Sequence, residues 1–325
     1  MSIMHPTKEM SVAVVIPCYK VSKTLSDLLK SFDNKIKFIY CIDDACPESS
    51  YKIAESCATN DNRIKVIRHD ENEGVGGAVI TGYKSALKDG VDIVIKIDGD
   101  GQMDVSKINK LIRPLLEGES DYVKGNRFYN VESLSKMPVV RLFGNIILSF
   151  LSKISTGYWD LFDPTNGFTA VHSKVLKIIP LDKLNKRYFF ETDFLFRLNT
   201  IQAVVKDIPL DAIYGDEESS MKIHTIILSF PFLHIKTIVK RVFYNYFLRN
   251  FSIASINLIL GSIFILYGFL YGLFHWYDNI GLDDPTPAGI VMMAALPIIV
   301  GMQLFLNFVA YDMASRPTDP IHLKL

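Results

Sequence analysis

The chain has 325 residues, enough for one large domain with an additional unit or for two domains. Its 35 basic and 35 acidic residues give a formal net charge of zero, so overall charge gives no indication of a nucleic-acid partner. The four cysteines form no CxxC pair and have no accompanying histidine cluster, which argues against a zinc site. The N-terminus lacks the basic region and apolar run of a signal peptide.

Apolar β-rich runs alternate with helical patterns along the first part of the chain. Strands are predicted at residues 12–16, 38–42, 64–67, 92–97 and from 121, with helices over 25–32, 51–57, 75–87 and 105–116. Ser22 is the predicted N-cap of the first helix. The alternation predicts right-handed βαβ crossovers and an α/β fold with a mostly parallel sheet.

The C-terminal third has the composition of a membrane anchor. No Asp, Glu, Lys or Arg occurs in residues 252–277 or 285–311, and each stretch exceeds the roughly 20 residues that span a bilayer as a helix. Residues 224–251 mix aromatic and basic side chains without an acid, which is typical of an amphipathic interfacial segment. We therefore expect a catalytic domain over 1–223, juxtamembrane helices over 224–251 and two transmembrane helices with a short tail over 252–325.

The distribution of charge around the two spans predicts their orientation. The turn between them, DNIGLDDPTP, contains three acids, whereas Arg249 precedes the first span and Arg316 and Lys324 follow the second. Under the positive-inside rule, the acidic turn lies outside the cell. The catalytic domain and both termini are then expected on the cytoplasmic side of the cell membrane.

Paired carboxylates follow two of the predicted strands. Asp98 and Asp100 end the run IKIDGDGQMD, and Asp43 and Asp44 end the second strand. Ligands of parallel sheets bind beyond the carboxyl ends of the strands, so these side chains are expected to converge on one crevice. Hard oxygen ligands suit Mg²⁺ or Mn²⁺ bound together with substrate phosphates. The alternative for the Asp-Gly pairs is an ordinary surface turn.

The order of the motifs resembles that of the family 2 glycosyltransferases of GT-A fold. Within this family it is most similar to the polyprenyl-phosphate glycosyltransferases of the dolichol-phosphate mannose synthase type. The resemblance extends from about residue 12 to the second span and rests on IPCYK, IDDACPES, NEGVGGA, DGDGQMD, GNR, DPTNGF, FETD and SSMK. It implies a metal-dependent enzyme that moves one sugar from a UDP- or GDP-linked donor to polyprenyl phosphate (undecaprenyl or dolichyl), with inversion.

The resemblance also implies which residues bind the donor. Those matching positions that contact the nucleotide or its phosphates are Pro17, Tyr19, Asp43, Asp44, Asn72, Gly74, Gly76, Asp98 and Lys222. For Asp44, capping of the next turn is an equal alternative. Lys20 and Val21 stand where the family usually has Asn and Glu, which weakens the inference for the first loop.

The metal and acceptor sites follow from the same likeness. Asp98, Asp100 and Gln102 match the metal-binding run of the family, and Asp100 is the ligand on which we expect catalysis to depend most. Arg127 and Arg141 match arginines that meet the acceptor phosphate, for which a planar guanidinium is well suited. A surface ion pair is the alternative for each arginine. The resemblance is also compatible with a homo-oligomer.

Glu191 and Asp193 resemble the motif that supplies a general base in many family members. A hydroxyl acceptor needs such a base. A phosphate monoester has a second pKa of about 6 and is mostly a dianion at neutral pH, so it needs none. Two rival functions remain at this point: transfer to a lipid or glycan hydroxyl with Glu191 or Asp193 as base, and a non-catalytic membrane protein that binds nucleotide sugar.

Overall fold

The computed structural model describes residues 10–129, 139–163, 166–210, 223–280 and 286–325. Within these residues the strands are β1 Val12–Cys18, β2 Ile36–Asp43, β3 Ile64–Arg68, β4 Ile93–Lys96, β5 Tyr122–Asn126, β6 Thr169–His172 and β7 Val205–Pro209. They form one sheet in the order β3-β2-β1-β4-β6-β5-β7. All of them run parallel except β6, which is antiparallel to β4 and β5. The predicted mostly parallel α/β sheet is confirmed.

Ten α-helices are described in the same residues. They are α1 Leu25–Lys30, α2 Ser50–Ala58, α3 Val75–Lys88, α4 Ile108–Leu116, α5 Val139–Thr156, α6 Ser173–Ile178, α7 Phe190–Thr200, α8 Ile223–Phe243, α9 Ile253–Asp278 and α10 Ala288–Ala314. Short 3₁₀ segments lie at Val105–Lys107, Leu181–Lys183 and Ile321–Leu323, and a π-helical segment, Tyr244–Arg249, follows α8.

The central strand β1 shows how two apolar layers hold the sheet. Successive side chains of a strand point to opposite faces. Val12, Val14 and Ile16 pack in the layer that contains α1 and α4, whereas Ala13 and Val15 pack in the layer that contains α3 and α7. Because both faces are covered, the strand is a continuous apolar run rather than an alternating one.

The predicted N-cap of the first helix is wrong. Helix α1 begins at Leu25, and the residue before it, Thr24, makes no capping hydrogen bond. Ser22 Oγ donates instead to Glu48 Oε2 at 2.6 Å. Thr24 Oγ1 donates to the Gly99 carbonyl at 2.6 Å. These hydroxyls connect neighbouring loops at the end of the sheet instead of satisfying helix N–H groups.

The chain divides into two compact units, one of Met1–Ile238 with Pro317–Leu325 and the other of Val239–Arg316. The second unit contains α9 and α10, which are long and apolar enough to cross a membrane. A Cβ on Gly301 would lie 2.8 Å from the backbone nitrogen of Ile265 and 2.9 Å from the carbonyl oxygen of Gly261. The two helices therefore approach closely through small residues, as helix pairs in membranes do.

A buried ion pair joins the two ends of the second unit. Arg241, near the end of α8, donates to both oxygens of Asp312, near the end of α10, at 2.6 and 2.9 Å. The Tyr246 hydroxyl donates to the same carboxylate at 2.6 Å. Such a bidentate arrangement fixes the relative orientation of the two side chains as well as binding them together.

The residues after α10 return to the first unit. Buried Asp121, immediately before β5, accepts hydrogen bonds from the backbone nitrogens of Val204, Ile321 and His322 at 2.7, 2.9 and 2.8 Å. The His322 ring lies 2.8 Å from the same carboxylate through Nδ1 and stacks on His172 with centroids 4.4 Å apart. The segment that leaves the first unit at residue 238 therefore comes back to it at residue 317.

We expect Asp121→Ala to destabilise the first unit. The substitution leaves three backbone N–H groups, two of them buried, without their acceptor. This should lower the free energy of unfolding by about 3 kcal/mol. The apparent Tm of the purified protein in detergent should fall by several degrees. Asp319→Ala is the matched control, because Asp319 is exposed and lies 3.7 Å from Lys324. An unchanged Tm for Asp121→Ala would contradict a stabilising role for this carboxylate.

Candidate functional site

The predicted convergence at the ends of the strands follows from the strand order. Strand β1 lies between β2 and β4, and all three are parallel, so their carboxyl ends share one edge of the sheet. Asp43 ends β2, while Asp98 follows β4. Pro17 lies within β1 opposite Ile42, and Tyr19 follows the strand with 44% of its surface exposed. The chain changes direction across the sheet at β1 and β4, where open α/β sheets bind ligands.

The side chains of Asp43 and Asp44 organise the loops at this edge. Asp43 accepts hydrogen bonds from the backbone nitrogens of Cys46 and Tyr51 at 3.1 and 3.0 Å. Asp44 accepts from the backbone nitrogens of Glu73 and Gly74, both at 2.8 Å. Both carboxylates are buried. Asp44 thus holds the distant loop before α3, whereas the turn that follows it is held by Asp43. Nucleotide contact by either residue stays a prediction.

The Gly-rich loop before α3 is packed against the segment before α7. Arg187 donates to Asn72 Oδ1 at 2.6 Å and to the Asn72 carbonyl at 3.1 Å. A Cβ on Gly76 would clash with the Asn185 carbonyl and lie 2.8 Å from Phe190 Cβ. At Gly76 the backbone therefore closely approaches the segment before α7. Contact of Gly76 with the donor stays a prediction.

The predicted metal ligands lie in one tight loop. Asp100 Oδ1 accepts a hydrogen bond from the Gln102 nitrogen at 3.0 Å, which closes the turn after β4. Asp98 Oδ1 is buried and accepts no hydrogen bond of good geometry. In the described part of the chain, no three Asp, Glu, His or Cys side chains form a metal site by themselves. The oxygen donors of Asp98, Asp100 and Gln102 fit a divalent ion that takes its remaining ligands from a bound diphosphate and water.

Sequence reasoning missed a buried lysine beneath this loop. Lys96, at the end of β4, is 2% exposed, and its Nζ lies 3.0 Å from Asp98 Oδ1 and 2.8 Å from Glu191 Oε1. Burial opposes its charge, but the two carboxylates raise the pKa of Lys96 well above the ordinary value. The lysine is therefore a fixed cation that holds Asp98 and Glu191 together. The sequence feature that could have identified it is the occurrence of a lysine within the apolar run IVIKID.

Both candidate base carboxylates already have partners. Glu191 pairs with Lys96, as described above. Asp193 Oδ2 accepts a hydrogen bond from the Asn185 nitrogen at 2.8 Å and lies 3.5 Å from Arg197 Nη2. These contacts give Glu191 an electrostatic role and Asp193 a role in holding the turn before α7.

The predicted acceptor arginine Arg127 is oriented by a carboxylate that the sequence analysis gave no role. Arg127 Nε and Nη2 donate to the two oxygens of Asp163 at 2.7 and 3.0 Å. Asp163 is fully buried, whereas the Arg127 side chain is 33% exposed. The two hydrogen bonds to Asp163 thus fix the plane of the guanidinium, in a side chain that is partly exposed. Asp163 is the first residue of the DPTNGF motif. The place of this motif in the motif order was the only sequence feature that pointed to a role for Asp163.

A second buried lysine, also missed, supports the same region. Lys124 on β5 donates to the Asn166 carbonyl. Burial lowers the pKa of Lys124 to about 8, against the opposing effect of Asp163 and Glu191. Of the remaining predicted residues, Arg141 lies in the first turn of α5, where only its backbone is described. Lys222 lies outside the described residues.

We expect Gly167→Ala to disrupt the metal loop. A Cβ at this position would clash with Asp98 Oδ2 and lie 2.6 Å from Lys96 Nζ, so the carboxylate would have to move. The affinity for Mn²⁺, measured by electron paramagnetic resonance in the presence of a nucleoside diphosphate, should fall at least about tenfold, or roughly 1.4 kcal/mol. Gly289→Ala, at a site with no neighbouring atom within 4 Å, is the control. Equal affinities in the two variants would contradict the assignment of Asp98.

Comparison with known proteins identifies relatives that match more than half of the chain. A protein from Methanococcus voltae, named UDP-N-acetylglucosamine--dolichyl-phosphate N-acetylglucosaminyltransferase, is 28% identical over 63% of this chain and 86% of its own length. The undecaprenyl-phosphate mannosyltransferase of Micrococcus luteus is 26% identical over 62% of this chain and 83% of its own length.

The fold also has a counterpart among solved structures. Glucosyl-3-phosphoglycerate synthase from Mycobacterium tuberculosis, solved with Mn²⁺, UDP and phosphoglyceric acid, superposes with a TM-score of 0.52. The match covers 71% of this chain and 78% of that one at 15% identity, which shows a shared GT-A fold. The model of the family described as glycosyl transferase family 2 matches residues 13–179, which is over half of the chain. The protein therefore belongs to the family 2 glycosyltransferases.

Proposed function

We propose that this enzyme transfers a single sugar from a nucleotide diphosphate sugar to the phosphate of a polyprenyl lipid at the cytoplasmic face of the membrane. Both relatives described above carry a polyprenyl phosphate acceptor in their names. The two apolar helices of the second unit provide an anchor in the membrane that contains such a lipid. The phosphate oxygen attacks the anomeric carbon opposite the departing diphosphate and inverts its configuration.

This proposal rests on the contacts that the two candidate bases, Glu191 and Asp193, make within the protein. Glu191 is paired with buried Lys96, and Asp193 accepts a backbone hydrogen bond. Glu191 Oε1 and Asp193 Oδ2 are thus engaged in contacts that hold the site together. An acceptor phosphate with a second pKa of about 6 is already ionised at neutral pH and requires no such step. The arrangement therefore favours a phosphate acceptor over a hydroxyl acceptor.

Donor binding is assigned to the edge of the sheet described above. Asp98, Asp100 and Gln102 are proposed to hold Mg²⁺ or Mn²⁺, which when bound neutralises charge on the diphosphate as it leaves. Lys96 keeps Asp98 directed toward that position. The remaining proposed donor contacts are those of Pro17, Tyr19, Asp43, Asp44, Asn72, Gly76 and Lys222.

Acceptor binding is assigned to Arg127 and Arg141. Asp163 fixes the plane of the Arg127 guanidinium, so less rotamer freedom is lost when this side chain meets a phosphate. Orientation of an ionised nucleophile next to the anomeric carbon provides much of the rate enhancement in such a reaction. The return of the tail to the first unit supports a topology in which the C-terminus and the catalytic domain share the cytoplasmic side. Assembly as a homo-oligomer stays a prediction.

A transfer assay tests the proposal. Purified enzyme, Mg²⁺ or Mn²⁺, a panel of radiolabelled UDP- and GDP-sugars and a polyprenyl phosphate should give a lipid product from which mild acid releases the sugar. Asp100→Asn should reduce transfer at least about a hundredfold, the size expected when an electrostatic contact to the transition state is lost. Asp104→Asn is the control, because that side chain accepts a hydrogen bond from the Ser106 nitrogen in the same segment. Full activity of Asp100→Asn would contradict the metal assignment.

The dependence of rate on pH distinguishes the two acceptor classes. With a polyprenyl phosphate acceptor, the rate should rise through about pH 6, where the acceptor loses its second proton. Asp193→Asn should retain this rise, because the acidic limb belongs to the acceptor and the amide oxygen can still accept from Asn185. Loss of the acidic limb in Asp193→Asn would identify Asp193 as a base and favour a hydroxyl acceptor.

A further inference from the structure

Asp207 is a half-buried carboxylate on β7, the edge strand that pairs with β5. Its Oδ2 accepts two hydrogen bonds, one from the backbone nitrogen of Phe162 at 2.8 Å and one from Asn126 Nδ2 at 3.3 Å. Asn126 immediately precedes Arg127, and Phe162 immediately precedes Asp163. One carboxylate oxygen therefore connects the segment that contains the proposed acceptor arginine to the segment that contains the acid orienting it.

The contact with Asn126 fixes the turn that contains Arg127. Asn126 Oδ1 accepts a hydrogen bond from the Phe128 nitrogen at 2.9 Å, which closes the turn around Arg127. Because an asparagine amide has both an acceptor and donors, its Nδ2 is left to donate to Asp207. The position of this amide, and with it the backbone from which the Arg127 side chain begins, therefore depends on Asp207.

A buried lysine holds the other end of the segment that contains Asp163. Lys124 lies opposite Asp207 in the parallel register of β5 and β7. Lys124 donates to the Asn166 carbonyl, while Asp207 accepts from the Phe162 nitrogen. Two side chains from neighbouring strands thus hold the segment on both sides of Asp163, whose own carboxylate is fully buried.

The charges around Asp207 leave it mostly ionised at neutral pH. Burial raises the pKa of this carboxyl to about 6, whereas the hydrogen bond from Phe162 and the positive charges of Lys124 and Lys153 act in the opposite direction. The like charge of Asp163 disfavours ionisation. An ionised carboxylate accepts stronger hydrogen bonds than a neutral group does, so both contacts of Asp207 are charge-assisted at neutral pH.

We propose that Asp207 is a positioning residue for acceptor binding. By joining the two segments, it keeps Arg127 at the distance from Asp163 at which both guanidinium hydrogen bonds form. Only the consequence for the acceptor phosphate rests on the proposed function. The orientation of Arg127 itself does not depend on the reaction.

Proton exchange at the guanidinium tests the orientation of Arg127. In full-length protein with isotope-labelled arginine in lipid nanodiscs, the Arg127 Nε–H signal is identified by its absence from Arg127→Lys. Asp207→Ala should raise the rate at which this proton exchanges with water about tenfold, because the hydrogen bond to Asp163 opens more often. The Nε–H of Arg63, which donates to Asp61 at 2.9 Å, is the internal control and should be unchanged.

Further variants separate the two hydrogen bonds from other effects of the substitution. Asp207→Asn keeps an oxygen that can accept both, so its exchange rate should stay within about threefold of that of the unmodified protein. Asp207→Leu is similar in shape to Asp but cannot accept, and it should reproduce the effect of alanine even where the smaller side chain impairs folding. Glu119→Ala is the matched control, because Glu119 is an exposed acid that lies 2.6 Å from Lys206, the neighbour of Asp207 on β7.

Steady-state kinetics test the consequence for the acceptor. At about pH 7.5, Asp207 and the acceptor phosphate are both mostly ionised. Asp207→Ala should raise the KM for polyprenyl phosphate about tenfold and leave the KM for the nucleotide sugar unchanged, because only acceptor binding is assigned to Arg127. Asp207→Asn should bring the KM for the acceptor back to within about threefold of the unmodified enzyme.

Three results would overturn the proposal. Equal exchange at Arg127 in Asp207→Ala and in the unmodified protein would show that this carboxylate does not position the arginine. An equal rise at Arg63 would mean that the whole unit has become less stable. An equal rise of both KM values would exclude a role specific to the acceptor. If the unmodified enzyme uses no polyprenyl phosphate, the proposed function fails, and the exchange rates still decide whether Asp207 positions Arg127.

Discussion

The candidate site depends on one buried cation. Lys96 is buried at the end of β4 and pairs with both Asp98 and Glu191, two carboxylates contributed by different parts of the chain. Without this partner, Glu191, whose side chain is 12% exposed, would be a largely buried and unpaired charge. The backbone at Gly167 closes over the pair and leaves no room for a side chain. The loop that holds the predicted metal ligands is therefore preorganised by an ion pair within the protein.

The same principle extends across the site. Asp163 fixes Arg127, Asp44 fixes the loop before α3, and Asp193 fixes the turn before α7. Most of the acidic side chains near the crevice are thus used to position other groups. A reaction between an ionised acceptor and a departing diphosphate needs orientation and charge neutralisation more than proton transfer. The distribution of contacts agrees with that requirement.

Several features were predictable because they depend on local pattern. Alternating apolar runs predicted the parallel sheet, and the long charge-free stretches predicted α9 and α10. Asp43 and Asp98 were expected to converge because strand ends share an edge. The cap at Ser22, by contrast, was wrong, because its hydroxyl donates to Glu48, 26 residues further along the chain. The N–H groups of a helix compete for a capping side chain with partners that are distant in sequence. The spacing of residues alone does not reveal those partners.

The sequence by itself determined the fold class, the family and the presence of two apolar helices, because periodicity, motif order and charge-free length are properties of consecutive residues. Only the tertiary structure decided how individual side chains are used. It paired Lys96 with Glu191, 95 residues apart, and brought His322 back to Asp121, 201 residues apart. It also showed that α5 buries its serines and exposes Ile147 and Phe150, since the side of a helix that faces the protein depends on its neighbours. Long-range pairing and the orientation of helices depend on how distant segments pack together. The pattern of neighbouring residues in one sequence does not show which distant segments meet.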